Sequence, residues 1–323
     1  YGVDFSDVKD QLITKRALEV ACAGMHNLLL IGPPGVGKTM LARRLPTILP
    51  DMEFEEILEV TKIYSISGLL NPQRPLVKER PFRAPHHTAS DIALVGGGAN
   101  IKPGEITLAN NGVLFLDELP EFNRDALEAL RQPLEDGFIT ISRASKHIRF
   151  PSKFLFVGAM NPCPCGYFGS ADKACHCSSY QIQKYRNKIS GPLLDRIDIQ
   201  IELQPIRTEE LISLDPTKQE PSLEIKKRVE KARLIQKERF KKEKILFNSQ
   251  MSAKQIQKYC ILEESARDFL KKAIKHFNFS ARAYDKILKV SRTIADLKEK
   301  EKIQEEDISE AVQYRSLDKN LWV

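Results

Sequence analysis

As far as Pro205, short unbroken apolar runs alternate with stretches in which apolar residues recur at helical spacing. Asn27–Ile31, Val113–Leu116 and Phe154–Val157 are such runs, each bounded by Gly, Asn or Pro, and they read as buried strands. Helical patterns such as Met40–Leu49 and Asn123–Glu135 lie between them. Strand, helix, strand at this spacing predicts an α/β fold whose parallel sheet carries helices on both faces. From about Arg207 the pattern becomes almost wholly helical. A loop with Pro216 and Pro221 leads into a long amphipathic helix with Ile225, Val229, Ala232 and Ile235 on one stripe. Further helices are predicted at Ser252–Tyr259, Leu262–His276 and Glu305–Tyr314. Between the last two, Ser280 reads as the N-cap of a helix to Leu297 that turns Ile287, Val290, Ile294 and Leu297 inward. The expected organisation is an α/β domain over 1–205, a linker over 206–221 and an all-helical lid over 222–323. Insertions are expected at 81–104 and 137–151, and a cysteine loop at 163–177.

Composition changes this picture little. Hydrophobic residues make up 42% and charged residues 29% of 323 positions, an ordinary globular balance. No stretch approaches the roughly 18 apolar residues of a membrane span, and no signal-peptide pattern opens the chain. A cytoplasmic protein without membrane contact is expected. The chain starts YGVDFSD without Met, so a fragment or a processed product is expected. The net charge of +7 is uneven, for residues 222–244 hold ten Lys/Arg against four Asp/Glu. Such a segment can attract phosphate backbones, or be a solvated helix face.

The sharpest chemical signal is Gly32-Pro33-Pro34-Gly35-Val36-Gly37-Lys38-Thr39, followed by Met40. It satisfies the Walker A pattern between an apolar strand and a helix. Its glycines let successive backbone N–H groups turn inward around an anion, Lys38 reaches the β- and γ-phosphates of ATP, and Thr39 ligates Mg²⁺. The partner signal is Asp117-Glu118 at the end of Val113–Leu116. Two adjacent carboxylates closing a buried strand call for a cation. Asp117 suits Mg²⁺, and Glu118 suits orientation of the attacking water. Asn161 ends a third strand, where its amide can sense the γ-phosphate or simply cap the turn before Pro162. The three strand ends place these groups on one edge of the sheet.

Cys163-Pro-Cys165 and Cys175-His-Cys177 close a nine-residue loop. Four thiolates suit tetrahedral zinc at about 2.3 Å; an iron–sulfur cluster and plain thiols are the alternatives. His176 is a reserve ligand, and Cys22 and Cys260 read as core residues. Residues 137–151 alternate apolar and polar positions around a basic tip and read as a β-hairpin. Arg143 and Lys146 there, with His147, can grip a DNA backbone or stand in solvent. The adjacent His86 and His87 are expected to be structural.

Taken together, the motifs resemble an AAA+ ATPase. More narrowly, PFRAPHHTASDIALVGGG (81–98), KPGEITLANNGVLFLDELPEF (102–122), MNPCPCGYFG (160–169) and SARAYDKILKVSRTIADL (280–297) resemble the ComM/YifB family of magnesium-chelatase-like AAA+ proteins. The resemblance covers essentially the whole chain. It implies a ring, usually a homo-hexamer, with ATP held between subunits. It implies that Arg196 is a trans-acting arginine finger, although the residues alone equally allow a salt bridge to Asp195 or Asp198. It matches Arg282 to a second sensor arginine, acting in cis or in trans, and makes Val8 a weak candidate contact for adenine. The 137–151 hairpin corresponds to one that points into the pore of related helicases, and 81–104 can form a second pore loop. The family's activity would be translocation on single-stranded or branched DNA, as a helicase promoting branch migration during natural transformation. A magnesium-chelatase motor acting on a porphyrin and a protein-remodelling ATPase are the alternatives.

Overall fold

A computed structural model describes residues 1–98, 101–143, 146–170, 173–205 and 219–317, without the side chains of 142–146. Its centre is a parallel five-stranded sheet in the order β2-β5-β8-β1-β9. In chain order the strands are β1 (Leu28–Ile31), β2 (Phe82–Arg83), β3 (Gly96–Gly97), β4 (Lys102–Pro103), β5 (Val113–Leu116), β6 (Phe138–Arg143), β7 (Lys146–Pro151), β8 (Leu155–Met160) and β9 (Ile199–Glu202). Leu28 pairs with Val157 on one side and Ile199 on the other, so β1 lies inside the sheet.

The unbroken apolar runs have a direct physical reason: both faces of the sheet are covered. Leu28, Leu30, Phe115, Val157 and Ile199 pack on the face shared with the helix Leu12–Gly24 and the C-terminal helices. Leu29, Ile31, Leu114, Leu116 and Phe156 pack on the other, against Leu119, Leu127, Leu130 and Leu193. Alternation along each strand thus feeds two cores.

Two helical stretches are broken where the sequence reads them as continuous. The first helices after the P-loop are Lys38–Ala42 and Leu45–Ile48, with Pro46 in the first turn of the second. The stretch after Asn123 divides into Arg124–Ala129 and Arg131–Asp136, the latter holding Pro133. Proline cannot supply the N–H that a continuous helix needs there. Strands β2 and β9 are absent from the expected runs because β2 is two residues long and β9 carries Gln200, which is buried.

The lid opens with helix Ser222–Arg239, and Ile225, Val229 and Ala232 enter the common core. The fourth buried position is Gln236 instead of Ile235; its amide donates to Ala23 O at 3.0 Å and accepts from Asn248 N at 2.9 Å. Most of the basic side chains on this helix are spent within the chain. Lys226 pairs with Asp51, Arg228 with Glu19 and Glu220, Lys237 with Glu53, and Arg239 with Asp296. That segment therefore ties lid to α/β unit. Ser280 caps Ala281–Leu297, accepting from Ala283 N at 3.2 Å, and Ile287, Val290 and Ile294 are buried as the pattern requires.

A polar seam completes the junction. Buried His26 meets Asp198 at 3.2 Å and Thr293 Oγ1 at 2.8 Å, while Lys286 lies 3.5 Å from Asp198. Burial alone would raise the Asp198 carboxyl, but Lys286 and His26 hold it well below the usual carboxylate range. No described helix is long and apolar enough to cross a membrane.

Candidate functional site

The edge of the sheet formed by the C-terminal ends of its strands gathers the expected phosphate groups. After β1 the chain turns through Gly35 (φ +80°) and Gly37 (φ +94°), and the helix begins at Lys38. This left-handed backbone is accessible to glycine at little cost. Gly32 N donates to Met160 O at 3.1 Å, fastening the loop to β8. Lys38 Nζ donates to Gly32 O (2.7 Å), Pro33 O (2.9 Å) and Asn161 Oδ1 (3.0 Å). Burial pulls this ammonium down to about 8, against the nearby carboxylates of Asp117 and Glu118. Thr39 Oγ1 donates to Asp117 Oδ2 at 2.6 Å. Lys38, Thr39, Asp117 and Asn161 thus form one cluster.

Pro34 is exposed and Pro33 half-buried at the loop's crown; Val36 packs against the core, and Met40 is partly exposed. Val8 is fully buried, and its carbonyl accepts from Lys15 Nζ at 2.5 Å. Any contact it makes to a base would be apolar.

Glu118 stands slightly apart. Its backbone is left-handed (φ +51°), and its Oε2 lies 3.1 Å from His87 Nδ1. The sequence reading gave His87 a structural role and no place beside Glu118. β2 and β5 are neighbours in the sheet, so the segments leaving them run side by side. No spacing in the chain announces that adjacency.

The cysteine loop lies directly against the phosphate loop. A Cβ on Gly166 would meet Pro34 Cδ at 2.7 Å, so the two loops touch through a glycine at φ +88°. The Sγ atoms of Cys163, Cys165, Cys175 and Cys177 lie within 4.8 Å of one another. The separations are 3.3 Å for Cys163–Cys165, 3.7 Å for Cys163–Cys175 and 3.6 Å for Cys165–Cys175. Zinc with four thiolates at about 2.3 Å requires S···S edges of about 3.8 Å, so the donor set fits. Backbone N–H groups of Tyr167 and His176 pull the Cys165 thiol down to about 6. Phe168 N donates to Cys163 Sγ at 3.3 Å, the kind of outer contact that orients a ligand. Arg186 anchors the same turn by donating to Pro162 O at 3.2 and 3.1 Å.

The arginines lie elsewhere. Arg196 precedes β9, and Asn27, Lys153 and Asp198 precede β1, β8 and β9, so all four mark the opposite edge of the sheet. With strands of four to six residues, that edge is about 13–20 Å from the phosphate cluster. Arg196 pairs with Glu135 and donates to Pro192 O at 2.7 Å; its Nε has no partner among the described residues. The salt bridges to Asp195 or Asp198 that the sequence allowed do not form. Asp195 pairs with Arg282, and Asp198 is taken by His26 and Lys286. Arg196 and Arg282 line one cavity of about 730 Å³, with Arg131, Lys153, Lys286 and Lys289.

β6 and β7 form the expected antiparallel hairpin, in register from Phe138↔Pro151 to Arg143↔Lys146. Arg149 stacks on Phe138 at 3.6 Å. The tip at 144–145 and the side chains of Arg143 and Lys146 lie outside the described residues.

The family model for magnesium chelatase, subunit ChlI, matches residues 4–211, and the model for that subunit's C-terminal part matches 219–315. Competence protein ComM of Haemophilus influenzae is 48% identical over 316 residues, covering 98% of this chain and 60% of its own length. The uncharacterized protein YifB of Escherichia coli is 45% identical, with 98% and 61% covered. The magnesium-chelatase 67 kDa subunit of Heliobacterium mobile is 27% identical, with 71% and 37% covered. The chain spans about three fifths of the length of the first two relatives.

Proposed function

The chain belongs to the magnesium chelatase ChlI family of AAA+ proteins, and on that premise we propose that it is a ring-forming ATPase that couples ATP hydrolysis to movement on DNA. The observation that carries this reading is the division of one set of nucleotide groups between opposite edges of a single sheet. Lys38 and the loop 32–40 bind the phosphates, Val8 borders the base, Glu118 orients water and Asn161 senses the γ-phosphate. Mg²⁺, held by Thr39 and Asp117, supplies charge neutralisation at the phosphates; these are adjacent hard oxygen donors. Arg196 and Arg282, too distant for their own chain's cluster, serve the neighbour's, so a homo-hexameric ring is the natural assembly. Both arginines therefore act in trans. Residues 1–205 form the ATPase unit, and 222–323 the lid that carries Arg282. The linker 206–221 is described only from 219 onward.

Zinc held by Cys163, Cys165, Cys175 and Cys177 supplies a rigid cross-link with no part in the chemistry. That cross-link stiffens the turn on which Asn161 and Pro34 rest. The kinship with a competence protein and the β6–β7 hairpin support DNA as the substrate, with Arg143 and Lys146 gripping the backbone. Branch migration during uptake of transforming DNA in the cytoplasm is the process we assign. The second reading, a motor for metal insertion into a porphyrin, is favoured by the likeness to the magnesium-chelatase subunit.

The test is ATP turnover with and without single-stranded and branched DNA, repeated on Lys146→Ala. Stimulation in the parent, lost in the variant, is expected. An assembled ring that DNA leaves unmoved would transfer the assignment to a porphyrin or protein substrate.

A further inference from the structure

The segments that leave β5 and β8, neighbours in the sheet, supply the two walls of a groove of about 570 Å³. One wall is residues 120–124, and the other is the helix Ser179–Arg186 with the turn that follows it. The helix is held from its inner side. Ile182 and Tyr185 are buried, the backbone of Asn161 hydrogen-bonds the Tyr185 hydroxyl, and Arg186 donates to Pro162 O. Ser178 and Gln181 close a capping box at its start. Its outer side has no such ties. Tyr180, Gln183, Lys184 and Asn187 follow the i, i+3, i+4, i+7 spacing of one helix face, and all four are exposed, Tyr180 to 72%. Among the described residues none hydrogen-bonds or pairs with these four side chains, and Arg124 on the facing wall joins no ion pair. The single carboxylate among the lining residues, Glu121, is met by Lys188 at 3.0 Å.

From this arrangement we infer that the groove is a second binding site for single-stranded DNA, with Arg124 and Lys184 on the phosphates and Tyr180 stacked on a base. The inference rests on the reading of DNA as the substrate and adds a contact surface apart from the β6–β7 hairpin. Two cations without counter-charges, on opposite walls of one channel, suit a strand that carries a negative charge at every step. Gln183 and Asn187 add amides that donate to phosphate or sugar oxygens. An exposed tyrosine ring takes any base on its face, whatever the sequence. The stripe from Tyr180 to Asn187 is about 10 Å long at about 1.5 Å per residue, the rise of about three stacked nucleotides. Because the helix is fixed from behind, these groups are presented with little ordering left to do on binding. The basic helix Ser222–Arg239 offers a weaker case, since Lys226, Arg228 and Lys237 there already have carboxylate partners.

The experiment measures binding of a fluorescent oligo-dT to the parent chain, Lys184→Glu, Arg124→Ala, Tyr180→Ala and Tyr180→Phe over a range of salt concentrations, with sedimentation to follow ring assembly. Lys184→Glu is expected to weaken binding by about tenfold or more at low salt. Arg124→Ala should reduce the slope of log affinity against log salt by about 0.7, the value of one phosphate contact on a single strand. Tyr180→Ala should weaken binding about tenfold at an unchanged slope, and Tyr180→Phe should restore it. Parental affinity and slope in every variant would overturn the inference and leave DNA as the substrate. A parent that binds no oligo-dT would overturn both. Loss of ring assembly in Lys184→Glu would give the groove to the neighbouring subunit, which also overturns the inference.

Discussion

The two edges of the central sheet are built on opposite principles. At the C-terminal ends of the strands, Lys38, Thr39, Asp117 and Asn161 bond directly to one another or to the phosphate loop. At the N-terminal ends, Arg196 and Arg282 are each held by one carboxylate, Glu135 and Asp195, beside a cavity of about 730 Å³. The first edge is a cluster that a phosphate chain can enter with small local changes. The second presents cations whose partners can be exchanged for another anion. The difference teaches that the chain keeps its phosphate-loop cluster and its arginine pair in two separate places. In the proposed ring the site is completed between subunits.

The largest expected effect breaks this comparison at its two ends. Lys38→Ala is expected to abolish ATP binding, whereas Arg196→Ala should keep it and lose turnover by about 10³-fold or more. Equilibrium binding of ATP measured beside steady-state turnover separates the two, and loss of ATP affinity in Arg196→Ala would contradict the division of labour.

This division was only partly legible in the chain. The Walker A loop, the Asp117-Glu118 pair and Asn161 follow apolar strands, so motif and strand together locate one edge. The parallel sheet with its helical lid was legible because its three central strands, β5, β8 and β1, are buried apolar runs. Contacts made between non-consecutive strands were not. His87 reaches Glu118 because β2 lies beside β5, and Glu135 reaches Arg196 across 61 positions of chain. The cysteine spacing announces a four-thiol cluster, yet its contact with Pro34 depends on Gly166, whose missing Cβ no ligand pattern records. The partners of Lys226, Arg228 and Lys237 in the basic run were not legible either, since Asp51, Glu19 and Glu53 come from distant parts of the chain.

An intermediate effect is expected from the cysteine loop, which sharpens the comparison because it braces only the phosphate edge. Cys175→Ser, or removal of zinc by a chelator, is expected to weaken ATP binding by roughly tenfold, about 1.4 kcal/mol. Zinc content by mass spectrometry and ATP affinity should fall together. Unchanged affinity in metal-free protein would detach the loop from the site.

The smallest effect on ATP affinity concerns the lid seam at the other edge. Asp198→Asn leaves Lys286 without its buried counter-charge and is expected to cost about 3 kcal/mol of stability, read as a lower melting temperature. The folded-state pKa of Asp198 is depressed, so its contribution is present above the ordinary carboxylate range and is lost as pH falls through the depressed value. ATP affinity should stay at the parental level, because Asp198 and Lys38 lie at opposite edges.

The shared site itself is tested most directly by mixing two inactive variants. Lys38→Ala cannot bind ATP but retains Arg196; Arg196→Ala binds ATP but lacks the donated arginine. In rings assembled from equal amounts, roughly a quarter of the interfaces join an intact phosphate loop to an intact arginine. ATP turnover should therefore reappear at roughly that fraction of the parent's. Mixed rings that assemble and remain as inactive as either variant alone would contradict the account.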